Sequence, residues 1–155
     1  NVPPMARTTI VHGDYRLDNA IFHEREPRLL ALLDWELATL GDPLADFAYQ
    51  CLSYYTPPDP KGRGLAGLDL AGTGIPTEAE FVRAYARRMG MESLPNWDFY
   101  MAYNLFRVGA IGQGVYKRML DGVYDTASRG ENMVDRVRVR AVAGWKIAER
   151  MMKRA

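Results

Sequence analysis

Apolar residues come in short runs near the start of this chain and at helical spacing further on. Thr8 to His12 is β-branched and apolar, which predicts a short strand. Ala20–His23 and Leu29–Asp34 flank the polar, Pro-containing stretch Glu24-Arg25-Glu26-Pro27-Arg28 and predict a hairpin. Its second arm, Leu29-Leu30-Ala31-Leu32-Leu33, is apolar throughout and reads as a buried strand. Gly41-Asp42-Pro43 then opens a helix, with Asp42 as N-cap and Pro43 at the first helical position. Leu44, Phe47, Ala48, Cys51 and Leu52 form its apolar stripe, and Thr56-Pro57-Pro58 ends it.

From Thr56 to Pro76 run 21 residues with five Gly and four Pro, a long loop of the kind that carries function or motion. Thr77-Glu78-Ala79-Glu80 is a capping box for a second helix, and Gly90 is its stop. Asn96 is placed to cap a third helix, Trp97 to about Leu120, rich in aromatic residues. Val134 through Val142 partly alternates with Arg and could pass for a strand. Yet Val134, Val137, Ala141, Trp145, Ala148 and Met152 hold a three-to-four spacing, which predicts a long helix. The fold class is therefore α+β, mainly α: a short β-hairpin and a helical bundle. There is no internal repeat or low-complexity tract.

At 155 residues, 48% apolar and 25% charged, the chain is one ordinary domain with enough length for a core. A net charge of +1 points to neither nucleic acid nor an anionic membrane. The single cysteine, Cys51, excludes an internal disulfide framework and a Cys-based zinc site, so a reducing, cytoplasmic setting is expected. No apolar stretch approaches a membrane span, and the N-terminus lacks a signal pattern.

The chemistry concentrates in His12-Gly13-Asp14-Tyr15-Arg16-Leu17-Asp18-Asn19 and in Asp34, fifteen residues later. Phosphoryl transfer asks a protein for a carboxylate to take the proton of an attacking hydroxyl, and for oxygen ligands to hold Mg²⁺ against the phosphates. Kinase catalytic loops provide these as His-x-Asp, four residues, then Asn, with a second Asp at the end of a nearby strand. Asp14 and Asn19 stand at that offset, and Asp34 closes the apolar run. A hairpin would bring Asn19, at its first base, beside Asp34, at its last. Each piece alone also fits ordinary turn chemistry; their order and spacing together favour catalysis.

The segment from His12 to Tyr49 resembles the C-terminal lobe of the aminoglycoside phosphotransferase and choline kinase-like family. The pattern is carried by His12-Gly13-Asp14, Asn19, Asp34-Trp35-Glu36, Gly41-Asp42-Pro43 and Asp46. Pro95-Asn96-Trp97-Asp98-Phe99-Tyr100 and Gln113-Gly114-Val115-Tyr116 resemble the branch with a kinase-like domain fused to some acyl-CoA dehydrogenases. The resemblance implies a protein-kinase-like C-terminal lobe that uses ATP and Mg²⁺ to phosphorylate a hydroxyl of a small molecule. By position, Asp14 resembles the catalytic base, and Asn19 and Asp34 the metal ligands. The fused branch implies hydroxyacyl-CoA acceptors; choline- or aminoglycoside-type substrates are the alternative.

Other residues keep two readings. Arg16 could clamp the transferred phosphoryl group or pair with a surface carboxylate. Asp18 could contact substrate or simply be solvated, Glu36 could meet metal or substrate or be structural, and Arg107 could be buried and paired or anchor an anionic substrate. His12 is expected to hold the turn by hydrogen bonds, Asp42 to cap its helix, and Asp46 to reach back to the catalytic turn. Gly109, Gly112 and Gly114 imply close packing or room for a ligand. The basic residues from Arg136 to Arg154 read as a solvated helix face or a CoA phosphate patch.

No glycine-rich phosphate loop or strand lysine occurs in these residues. The chain is thus expected to be one lobe, 1–155, whose N-terminal lobe is absent and whose isolated form folds without turnover. An apolar edge facing that lobe, and self-association through it, should follow. A non-catalytic kinase-like binding module is the competing class.

Overall fold

The computed structural model describes residues 2–5, 7–58, 64–123 and 133–154. It falls into two compact units, 1–51 and 52–155. The predicted loop segment 59–63 lies outside the described residues.

Among the described residues the first unit has four short strands, one α-helix and the 3₁₀ turns Leu17–Asn19 and Trp35–Leu37. Strand β1 (Thr9–Val11) pairs antiparallel with β4 (Thr39–Gly41), and β2 (Ala20–Phe22) with β3 (Leu29–Leu32). The β2–β3 hairpin matches its sequence pattern; β4 had no strand signature beyond three residues, Thr-Leu-Gly. Helix α1 (Pro43–Gln50) starts as predicted, with the Asp42 carboxylate accepting from Leu44 N at 2.9 Å and Pro43 in the first turn. It ends at Gln50, and a 3₁₀ turn, Cys51–Tyr55, carries the chain on to Thr56. The stripe Leu44, Phe47, Ala48, Cys51 and Leu52 is buried throughout.

Strand β3 departs from expectation. Leu29 and Leu30 are 45% and 49% exposed, and Leu33 is 46% exposed, so the apolar run is not a buried strand here. A two-stranded sheet has two faces, and within its unit too little packs against this one to exclude water. Ile21, Phe22, Trp35, Leu37 and Leu40 are exposed in the same unit as well.

The second unit is helical. Helix α2 (Glu78–Arg88) carries the complete capping box: Glu80 N donates to Thr77 Oγ1, and Thr77 N donates to Glu80 Oε2 at 2.8 Å. Gly90, at φ +70°, follows its C-cap in the left-handed conformation that glycine favours. Helices α3 (Trp97–Leu120) and α4 (Met133–Met152) pack as a pair. Asn96 precedes α3 but makes no side-chain cap; its backbone is left-handed at φ +53°, not in the extended region usual for a capping residue.

The α4 stripe read from sequence is out of phase. Val134, Trp145 and Met152 are 50%, 64% and 60% exposed, whereas Gly144 and Ile147 are buried. Glycine explains the shift. A Cβ on Gly144 would lie 3.1 Å from Leu105 Cβ, and one on Gly112 would lie 2.9 Å from Val137 Cγ2. The helices pack closely at these two glycines, so Gly112 and Gly144 mark the contact face, with Ile147 buried as well. Gly112 is therefore a close-packing glycine. Gly109 is also buried, but nothing would lie within 4 Å of its Cβ.

Candidate active site

The turn from His12 follows β1 and is held by backbone hydrogen bonds to the half-buried Asp46 side chain. Gly13 sits at φ +82°, and a Cβ there would meet Leu37 O at 2.5 Å, so both conformation and space demand glycine. Asp46, one turn into α1, accepts from the backbone N of His12 and, at 2.9 Å, from that of Gly13. The α1 cap Asp42 is itself 7% exposed, which fixes the helix start and hence where Asp46 stands.

His12 is 2% exposed and both ring nitrogens are engaged. Nε2 lies 2.8 Å from Leu33 O, and Nδ1 lies 3.3 Å from the donating N of Asp14. A carbonyl only accepts and an N–H only donates, so this pairing requires the hydrogen on Nε2. The imidazole thereby joins the turn to the end of the β3 arm and leaves no nitrogen for proton transfer. Trp35 packs on it, with ring centroids 4.7 Å apart, and Trp35 Nε1 donates to Leu32 O at 2.9 Å. Sequence reasoning assigned Trp35 nothing; its place between Asp34 and Glu36 in the quoted motif was the available signal.

Asp14 and Asn19 are brought together. Asn19 Nδ2 donates to Asp14 Oδ2 at 3.0 Å and to Asp14 O at 2.9 Å, so the amide oxygen is the group of Asn19 left for a cation. Asn19 O accepts from Leu33 N at 2.8 Å. Leu33 is thus tied to both Asn19 and His12, immediately before Asp34. Asp34 itself is left-handed, at φ +67° and ψ +52°, and its side chain makes no cap bond to the turn Trp35–Leu37. A non-glycine residue in that region costs about 1–3 kcal/mol, a strain that clusters at functional sites.

The remaining candidates are more peripheral. Arg16 pairs with Asp18 at 2.7 Å, with both side chains largely exposed, the geometry of a surface ion pair. Glu36 is exposed on the Trp35–Leu37 turn. Arg107 is half-buried on α3, in the second unit.

Among the described residues no three His, Cys, Asp or Glu side chains stand together as a metal site. The set Asp14, Asn19 and Asp34 offers only oxygen ligands and few of them. That composition fits Mg²⁺, which keeps waters and is commonly held by one or two carboxylates together with substrate phosphates.

The pattern of the phosphotransferase enzyme family (APH) matches residues 1–103. The chain belongs to that family. A solved structure from Ralstonia eutropha JMP134, provisionally named an aminoglycoside phosphotransferase, superposes with a TM-score of 0.82 at 47% identity over 92% of this chain and 43% of its own. The mainly helical, kinase-like fold expected from sequence is therefore present. Acyl-CoA dehydrogenase family member 10 of Mus musculus is 54% identical over 129 residues, 83% of this chain and 12% of that protein. Family member 11 of Gallus gallus is 37% identical over 155 residues, 97% of this chain and 20% of that protein. The chain thus spans at most a fifth of the curated relatives it matches. Among the described residues no helix is long and apolar enough to cross a membrane.

Proposed function

We propose that this phosphotransferase-family chain is the catalytic lobe of an ATP- and Mg²⁺-dependent kinase for a hydroxyl on a small molecule. The observation that carries the proposal is the Asn19 amide on the Asp14 carboxylate, with Asn19 O bonded to Leu33 N beside Asp34. In this reading Asp14 orients the acceptor hydroxyl and takes its proton as the oxygen attacks. The bond from Asn19 Nδ2 holds that carboxylate in one rotamer, which orients it before substrate arrives. Asn19 Oδ1 and the Asp34 carboxylate would hold Mg²⁺. When bound, the ion neutralises charge on the phosphates. His12, Asp46 and Gly13 keep the turn in shape and do no chemistry. Arg16 is available to a phosphoryl group by exchanging its exposed pair with Asp18.

The relatives bear acyl-CoA dehydrogenase names, which supports a hydroxyacyl-CoA thioester as acceptor over choline or an aminoglycoside. The second half of the nucleotide cleft belongs, in this proposal, to an N-terminal lobe outside these residues, and the setting is cytoplasmic. The test uses the full-length protein. Asp14→Asn should abolish turnover with hydroxyacyl-CoA while Mg²⁺-ATP binding persists, whereas Asp34→Asn should weaken Mg²⁺-dependent ATP binding. Equal, modest losses in both variants would overturn the roles assigned.

A further inference from the structure

We propose that α4 carries a separate groove for an amphiphile with a short alkyl chain and a phosphate head. The groove is open to solvent and has a volume of about 540 Å³, in the range of small-molecule sites. Two rows of α4 line it. Val139, Ala143 and Ile147 form an apolar row, and Arg138, Val142, Lys146 and Arg150 form a neighbouring row that is cationic at three of four positions. Both rows repeat every four residues, so they run side by side along one helix face.

The charges favour a doubly charged head. At a rise of about 1.5 Å per residue, Lys146 and Arg150 stand roughly 6 Å apart along the axis, and Arg138 roughly 12 Å from Lys146. Like charges at this i,i+4 spacing repel, and an anion between them removes the repulsion. Arg138 pairs with Asp135 at 3.0 Å, both side chains exposed, so that pair exchanges readily; Arg150 reaches the part-buried Asp98 at 3.7 Å, which Arg154 also meets at 3.4 Å, so Arg150 can leave it paired. Lys146 makes no ion pair among the described residues. Tyr55 closes one side of the groove; its hydroxyl is spent on Glu78, 2.9 Å from both carboxylate oxygens. The carbon floor under a row of cations matches neither a free phosphate nor a neutral chain, and it matches their combination. The proposal uses the second unit alone and does not depend on the kinase assignment.

Calorimetric titration of the 155-residue chain with octyl phosphate, octanol and inorganic phosphate tests it. Octyl phosphate should bind at least about tenfold more tightly than either other compound, and Lys146→Gln should weaken it by about tenfold. Val142→Asp should abolish it with the far-ultraviolet circular dichroism unchanged. Sedimentation with phosphatidylcholine vesicles, with and without phosphatidic acid, separates the two sources of such a head. Binding of octyl phosphate alone assigns a soluble ligand, and Lys146-dependent binding to the acidic vesicles as well assigns a lipid. Equal affinity for all three compounds, or a Lys146→Gln variant that binds like the parent, overturns the proposal.

Discussion

Asp46→Ala should unlock the turn at His12 and Gly13 without disturbing the α3–α4 pair. The carboxylate accepts from two backbone donors, His12 N and Gly13 N, and His12 is 2% exposed, so water cannot readily replace both bonds. A hydrogen bond to a charged group contributes about 1.5–3 kcal/mol net. Asp46 is itself only half-buried, so the lower end applies, giving about 3 kcal/mol for the pair. At 1.4 kcal/mol per factor of ten, local opening should become roughly a hundred times more frequent. Amide hydrogen exchange reads this directly: protection at His12 and Gly13 should fall by about that factor. Met101 and Leu105, in the other unit, should keep theirs. Asp46→Asn should lie between, because one oxygen still accepts while its NH₂ faces an N–H. Unchanged exchange at His12 and Gly13 would show that Asp46 does not hold the turn. Equal loosening on α3 would show that the effect is global unfolding.

Gly109→Ala should stabilise the chain by roughly 0.5–1 kcal/mol, because its Cβ meets nothing and α3 gains helix propensity. Gly112→Ala should cost about 1 kcal/mol or more, since its Cβ would sit 2.9 Å from the stiff Val137 side chain; equal melting temperatures for the two variants would refute the packing argument. Tyr55 is pushed well above the usual phenol value of 10.0, first by burial and then by the Glu78 carboxylate it bonds. Its raised value means that its contribution is complete below pH 10 and is lost as pH rises further, so Tyr55→Phe should flatten the alkaline unfolding profile above that pH. Calorimetry of the isolated chain with Mg²⁺-ATP should show binding far weaker than in the full-length protein, and micromolar affinity would mean that the nucleotide site is complete within these residues.

Local chemistry was legible where it acts within a few residues of sequence. The Asp42 cap, the Thr77–Glu80 box, the Gly90 stop and the hairpin about Glu24–Arg28 depend on neighbours along the chain, and each formed as its residues dictate. The resemblance carried by the motifs from His12 to Asp46 is matched by the phosphotransferase-family pattern over residues 1–103, and the structure sets the Asn19 amide against the Asp14 carboxylate. Three features were decided only by tertiary structure. Strand β4 exists because β1 supplies its hydrogen bonds, not because Thr-Leu-Gly prefers to be extended. The face of α4 that is buried was set by where Gly112 and Gly144 let two backbones approach, which hydrophobic periodicity cannot see since it counts glycine as nothing. The exposure of β3 was set by what packs on it. An apolar run records that a segment can be buried, whereas burial itself is a property of the surfaces that fold brings together.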